Sequence, residues 1–314
     1  GSGSTLNITG SLINNNSAIN AENGWGGALF LSQGSTSIEE TEVNGNTSAR
    51  YGGAIYADDG SLNIYQTEIY NNEATYGGGF YSAVDFLTIH QSLIHENSSA
   101  VNGGGAYITN NAMITNSTVI DNEAGVNGGG IYTGNGTFTV INSTIDGNTA
   151  QENGGGLYLY NGSVDRLAND TLTNNTADAN QTDGITARGG GFYNNGSTLR
   201  AKNSIIALNK DLRESTFEPL ATDCSGALVS DGYNLIGYGG GFCQVSGDLS
   251  GMLIGSSGSP IDPMLGPLTM YTAKNWYRPV LPGPAVDNGN PQGCTDYSGI
   301  LLTSDQLEEN PRPY

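Results

Sequence analysis

The chain has 314 residues, with 10 Lys and Arg against 30 Asp and Glu, for a formal net charge of −20. An acidic surface of this size repels nucleic acid and anionic lipid, which excludes both as partners. No run of apolar residues approaches the roughly 18 that a membrane-spanning helix needs, so the chain is not read as membrane-spanning.

The opening "GSGS" reads as an expression scar or a natural linker, and no basic-then-apolar leader is present. The sequence is therefore expected to be a mature or trimmed form. "TLNITGSLINNN" comes next and already resembles the units downstream.

From Gly26 a unit of glycines, one apolar or small residue and one aromatic recurs: GGALF, GGAIY, GGGFY, GGGAY, GGGIY, GGGLY and GGGFY. The aromatic falls at Phe30, Tyr56, Tyr81, Tyr107, Tyr132, Tyr158 and Tyr193, in steps of 26, 25, 26, 25, 26 and 35. A phosphate-cradling loop occurs once per site; a period near 25 marks a structural repeat. A second column has the same period: Ser or Thr, then an apolar residue, then Asn. It places Asn at Asn16, Asn46, Asn72, Asn97, Asn122, Asn148, Asn175 and Asn209, with Asp170-Leu172-Asn175 as a near match.

Each repeat carries two alternating runs rich in Ile, Val, Thr and Tyr, such as "GGGLYLY" and "TFTVINSTID", separated by Gly, Asn, Ser and Asp. These read as strands and turns, and no window has helical periodicity. One such unit cannot bury a face alone, but stacked units can. The expected fold is all-β: a right-handed parallel β-helix of about eight coils with two or three strands per coil. The Asn column is assigned to a corner, in left-handed backbone, with the amides forming a ladder through Asn46, Asn72, Asn97, Asn122, Asn148, Asn175 and Asn209. The glycines relieve another corner. Leu29, Ile55, Phe80, Ala106, Ile131, Leu157 and Phe192 are assigned to the interior. The adjacent aromatic column then faces outward.

The long step before Tyr193 places an insertion at "ADANQTDGITARG", expected as a surface loop above a continuous coil. Deleting Ala179–Thr186 should leave the fold intact and remove any partner contact made there. The glycine unit then disappears and Pro and Cys enter. Residues 1–210 are read as coils and 211–314 as a loop-rich C-terminal capping module. No comparable segment precedes the first coil. Either a cap has been trimmed, or the tail of a neighbour covers that end and builds head-to-tail filaments.

"GGAIY" with downstream "S-x-I-x-x-N" resembles the parallel β-helix repeats of bacterial surface proteins, including the repeats of chlamydial polymorphic outer-membrane proteins. "DCSG" at Asp223, "GYNLIG" at Gly232, "IDPMLGPL" at Ile261, "VLPGPAVDNGN" at Val280 and "DQLEENPRP" at Asp305 resemble the C-terminal module of choice-of-anchor Q surface proteins. That resemblance implies an extracellular or cell-surface protein and a disulfide between Cys224 and Cys243. It also implies that Cys294 would pair with a further strand downstream of this sequence. The alternatives for Cys294 are a buried free thiol or an intermolecular bond.

β-Helix lyases need a Lys or Arg to abstract a proton beside a Ca²⁺-bound uronate, and β-helix hydrolases need clustered Asp. Here Arg50, Arg166, Arg188, Arg200, Lys202 and Lys210 stand outside any carboxylate cluster of familiar spacing. His90 and His95 are placed in one strand on opposite faces, which does not make a metal pair. "ADDGS" at Ala57 reads as a turn, with a Ca²⁺ loop as the alternative; no other cofactor is expected. Many N-x-S/T triplets occur, two of them on the ladder at Asn46 and Asn97. The aromatic column reads as a self-stacking ladder or as a platform for glycan rings or a neighbouring rod. The sequence thus points to a non-enzymatic, extracellular or surface β-helix scaffold for adhesion or self-assembly into a fibre or sheath. Its partners would be itself or surface glycans. The alternative is a β-helix that binds or cleaves acidic polysaccharide.

Overall fold

The computed structural model describes residues 4–160, 164–179, 188–212, 222–239, 241–256, 258–272, 275–277, 282–285 and 289–302. The body of the inserted segment, at 180–187, lies outside these residues. So does most of the stretch Ala179–Thr186.

The described chain is all-β and forms a parallel solenoid. The coils between Leu29 and Asp211 each hold four short strands rather than two or three, and the first coil holds three. In one coil they are Ile55–Asp58, Ser61–Tyr65, Glu68–Tyr70 and Glu73–Tyr76. Each pairs in parallel with its counterparts in the coils above and below, so equivalent residues stack on one another. Four strands are needed because two left-handed corners divide what alternation presents as one run. His90 and His95 show the effect. They end two different strands, Phe86–His90 and Leu93–His95, in different sheets, and not one strand.

The left-handed corner residue is not the ladder asparagine but the residue before it. Asn71, Glu96 and Asp121 have φ of 53°, 51° and 52°, one step ahead of Asn72, Asn97 and Asn122. The other corner places Gln66, Gln91 and Asn116 at 44°, 46° and 50°, one step ahead of Thr67, Ser92 and Ser117. One left-handed residue turns the chain. The next residue then directs its side chain inward, where it stacks on its equivalents.

Interior columns fill the space between the sheets. Ile55, Phe80, Ala106, Ile131, Leu157 and Phe192 are fully buried, as are Val43, Ile69, Ile94, Leu172 and Ile206 from the third strands. The glycine corner is a close backbone approach. A methyl group on Gly78 would collide with the carbonyl oxygens of Gly104 and Ser98. Gly77, with φ of 66°, supplies the left-handed turn before it.

Parallel stacking continues past residue 210. Cys224–Asp231 pairs with both Phe192–Asn195 and Thr198–Lys202, and Cys243–Asp248 stacks on it in turn. Leu235–Ile236 and Leu253–Ile254 extend the third sheet. Later segments lie along the side of the rod. The hairpin Thr269–Thr272/Asn275–Tyr277 approaches Thr118–Ile120. Beside it, Leu93, Thr118, Thr144 and Thr173 are buried although they face out of the third sheet.

Candidate functional site: an aromatic face and its supporting ladders

The aromatic column lies on the outer face of the first-strand sheet. Strand register places each ring over the next, from Phe30 over Tyr56 to Tyr158 over Tyr193. Successive centroids are 5.3, 5.3, 5.0, 4.5, 4.9 and 5.3 Å apart, with interplanar angles from 6° to 18°. Ring faces therefore point along the rod and cover one another. Tyr56, Tyr132 and Tyr158 are buried, and only Phe30, at the start of the column, is exposed. A sugar ring stacks on an aromatic face, and these faces are already occupied. The column offers solvent its hydroxyl edges.

Burial disfavours ionisation of five of them, Tyr56, Tyr81, Tyr107, Tyr132 and Tyr158. Burial, then the charge of the neighbouring Asp58 carboxylate, pushes the Tyr56 phenol up to about 12. Burial raises Tyr81, Tyr107, Tyr132 and Tyr158 as well. Asn195 donates to the Tyr158 hydroxyl at 2.8 Å.

A second row borders the first. Trp25, Tyr51 and Tyr76 occupy the position just before the glycines. Tyr51 stacks on Tyr76 at 5.4 Å, while Trp25 and Tyr51 pack against Tyr56 and Tyr81. In the next coils the same position becomes Asn102, Asn127 and Asn153, whose amides bridge the coils. The sequence carried this signal in the residue preceding each glycine unit, but the aromatic after the glycines drew attention from it.

The asparagine ladder is continuous. Each side-chain nitrogen from Asn16 to Asn175 donates to the amide oxygen of the next coil at 2.9–3.0 Å. Each also donates to a main-chain oxygen in its own or the preceding coil, and the backbone N–H of each rung donates to the next amide oxygen. The last rung is an acid: Asn209 donates both its backbone and side-chain N–H groups to Asp223, whose other oxygen accepts from the Tyr238 N–H at 2.6 Å. A carboxylate only accepts, so it ends the chain of donors without orphaning one. Burial outweighs these three bonds and pushes Asp223 up to about 7. A hydroxyl ladder runs along the other corner, with each backbone N–H donating to the next hydroxyl, and Asp170 takes one hydroxyl's place.

Cys224 and Cys243 form a disulfide between adjacent coils, with Cα atoms 5.2 Å apart. Cys294 is a half-buried thiol whose sulfur accepts from Asn203 at 2.8 Å. Two cations of the late coils are engaged by polar partners, while Lys210 is exposed: Arg200 pairs with Asp231, and Lys202 donates to Thr295 and to the Asp296 carbonyl. Arg166 and Lys202 both lie over the Tyr297 ring. His95 bonds Glu68 at 2.8 Å and His90 contacts Thr115 at 2.7 Å. Among the described residues no group of three His, Cys, Asp or Glu side chains could hold a metal ion. At "ADDGS", Asp59 and Gly60 turn the chain between two strands with φ of 58° and 74°. Of the N-x-S/T asparagines, Asn46, Asn97, Asn116 and Asn142 are buried and Asn135 and Asn195 exposed.

The family model of the Chlamydia polymorphic membrane protein repeat matches residues 40–58 and 142–160. Both stretches begin at a left-handed corner residue, Glu40 or Asn142, and end with the first strand of the following coil. Each therefore spans the hydroxyl rung, the asparagine rung, the glycine corner and one tyrosine of the stacked column, Tyr56 or Tyr158. No curated protein and no solved structure matches the chain.

Proposed function

We propose that this parallel β-helix repeat protein is a non-enzymatic scaffold, displayed at the outer membrane or cell surface, whose rod serves adhesion or self-assembly. The observation that carries this reading is the position of the two matched stretches. They coincide with the same structural unit in two separate coils, and that unit builds the ladders. A repeat named for bacterial membrane proteins is thus used here as architecture. The ladders fix every coil to its neighbours, and a solenoid of this kind presents long, regular faces to a partner. A second copy of the chain or surface glycans would be such partners. No helix among the described residues is long and apolar enough to cross a membrane.

The non-enzymatic reading is supported by the state of the cations. Arg166, Arg200 and Lys202 are the bases nearest one another on the outer face, and they hold Asp231 and the C-terminal segment. A lyase base must instead be free to take a proton from substrate. Incubation with a panel of neutral and acidic polysaccharides tests the point. New reducing ends or unsaturated products would overturn it, whereas binding to glycan-coated surfaces or to itself without product supports it.

A further inference from the structure

The stacked tyrosines carry a chemistry that a scaffold role leaves unused. We propose that Tyr107 and Tyr132 are an oxidative cross-linking site, at which a one-electron oxidant of the peroxidase and hydrogen peroxide class joins the two rings as dityrosine and staples adjacent coils. This pair has the shortest separation in the column, 4.5 Å between centroids at 18°. The residues are register partners in neighbouring strands. Their rings are nearly parallel and in register, so the phenol edges lie side by side. The ring carbons ortho to each hydroxyl are then neighbours.

Tyr81 and Tyr158 stack on the outer sides at 5.0 and 4.9 Å, and Tyr160 lies 6.2 Å from Tyr132, so each alternative partner is farther away than the central pair. Tyr76 also contacts Tyr107 but stands edge-on, at 6.0 Å and 89°. Both phenols are protonated at neutral pH, as any tyrosine is, and burial raises them further. Oxidation removes one electron and the hydroxyl proton from each, and the protons pass to water. The two neutral radicals place spin on their ortho carbons, which form a carbon–carbon bond. The two ortho hydrogens then leave those carbons, two protons return to the oxygens, and the rings regain aromaticity. The net change is the loss of two ring C–H hydrogens and the reduction of one hydrogen peroxide to two waters.

The test treats the full chain with a haem peroxidase and hydrogen peroxide and, separately, with a photogenerated one-electron oxidant that needs no docking. Dityrosine is read by fluorescence, and its position by mass spectrometry of the digested monomer. The expected product joins the Tyr107 and Tyr132 peptides, in a yield independent of protein concentration. Tyr132→Phe keeps the stacked ring, shown by unchanged circular dichroism, and should abolish that product. Tyr65→Phe, on another sheet, should leave it intact. The proposal is overturned if dityrosine maps to exposed tyrosines such as Tyr65 or Tyr160. It is equally overturned if cross-links form only between molecules, or if the folded chain gives none under either oxidant.

Discussion

Asn122 is the rung at which the ladder can be tested most sharply. Its nitrogen donates to Asn148, to the Ile94 carbonyl and to the Ile120 carbonyl at 2.9–3.0 Å. Its oxygen accepts from the Asn97 backbone at 3.1 Å and the Asn97 side chain at 3.0 Å. Asn122→Leu keeps the branched four-atom skeleton, with bulkier methyl groups, and deletes all of this. The Asn97 backbone N–H and one of its amide hydrogens are left buried without partners. At about 1–3 kcal/mol for each orphaned group, offset in part by the added apolar side chain, the expected loss is about 4 kcal/mol. Asn122→Asp is the more telling change. It keeps the accepting oxygen but turns the donor into an oxygen facing three acceptors. At pH 7.5 it should be worse than Asn122→Leu. In acid the protonated carboxyl can donate one bond again, so the gap should shrink or reverse. Urea unfolding of both variants at pH 7.5 and 4.5 measures this, each pair compared at the same pH so that other titrations cancel. Array cooperativity should be checked with two probes. A loss under about 1 kcal/mol for Asn122→Leu, or an Asp variant that tracks the Leu variant at both pH values, would refute the ladder as a source of stability.

Tyr132→Ala should cost about 3–5 kcal/mol, the range for removing a buried aromatic ring, whereas Tyr132→Phe should cost under about 1 kcal/mol; thermal melts of the two distinguish ring stacking from the hydroxyl. Asp223 is raised in the folded state to about 7, above about 3.9 when unfolded. Its contribution is therefore fully present below pH 4 and declines as pH rises to about 7, by up to about 4 kcal/mol. Asp223→Asn should flatten that part of the stability–pH curve while destabilising overall, because its amide would meet the Tyr238 N–H. Gly78→Ala forces a methyl group onto two carbonyl oxygens and should abolish soluble folded protein. Gly241→Ala, with nothing within 4 Å of the added atom, should be neutral, and expression with circular dichroism compares them.

The columns were legible because stacking places each residue on its own equivalent, so the same chemistry must recur at the period of the coil. That is why Asn72, Phe80 and Tyr81 could be assigned from spacing. The left-handed corners were not legible. Their occupants change from coil to coil, as Glu40, Gln66, Gln91 and Asn116 do at one corner, and although nearly all are Asn, Asp, Gln, Glu or Gly, residue types that tolerate the left-handed turn, no single type recurs at the period of the coil. The number of strands was missed for the same reason. An outward position for Tyr132 follows from alternation, but its burial depends on neighbours on three sides, and alternation says nothing of that. The contacts of Tyr297 with Leu167 and of Asn290 with Asn203 join distant parts of the chain without any period, and a single sequence offers no signal for them.

The asparagine ladder has a direction, and this bears on how such a rod can vary in length. From amide to amide, every rung gives toward the later coil and receives from the earlier one, and each also donates to a main-chain oxygen of its own or the earlier coil, so the upper and lower faces of an interior coil are chemically interchangeable with those of its neighbours. Cutting out one whole period would bring two unlike coils together across a junction whose bonds are the same as before. Duplicating one would do likewise. Only Asp223, which receives and does not give, is tied to its place. The reach of the rod is thus a quantity that recombination can adjust in steps of one coil, while the chemistry that ends the ladder stays fixed.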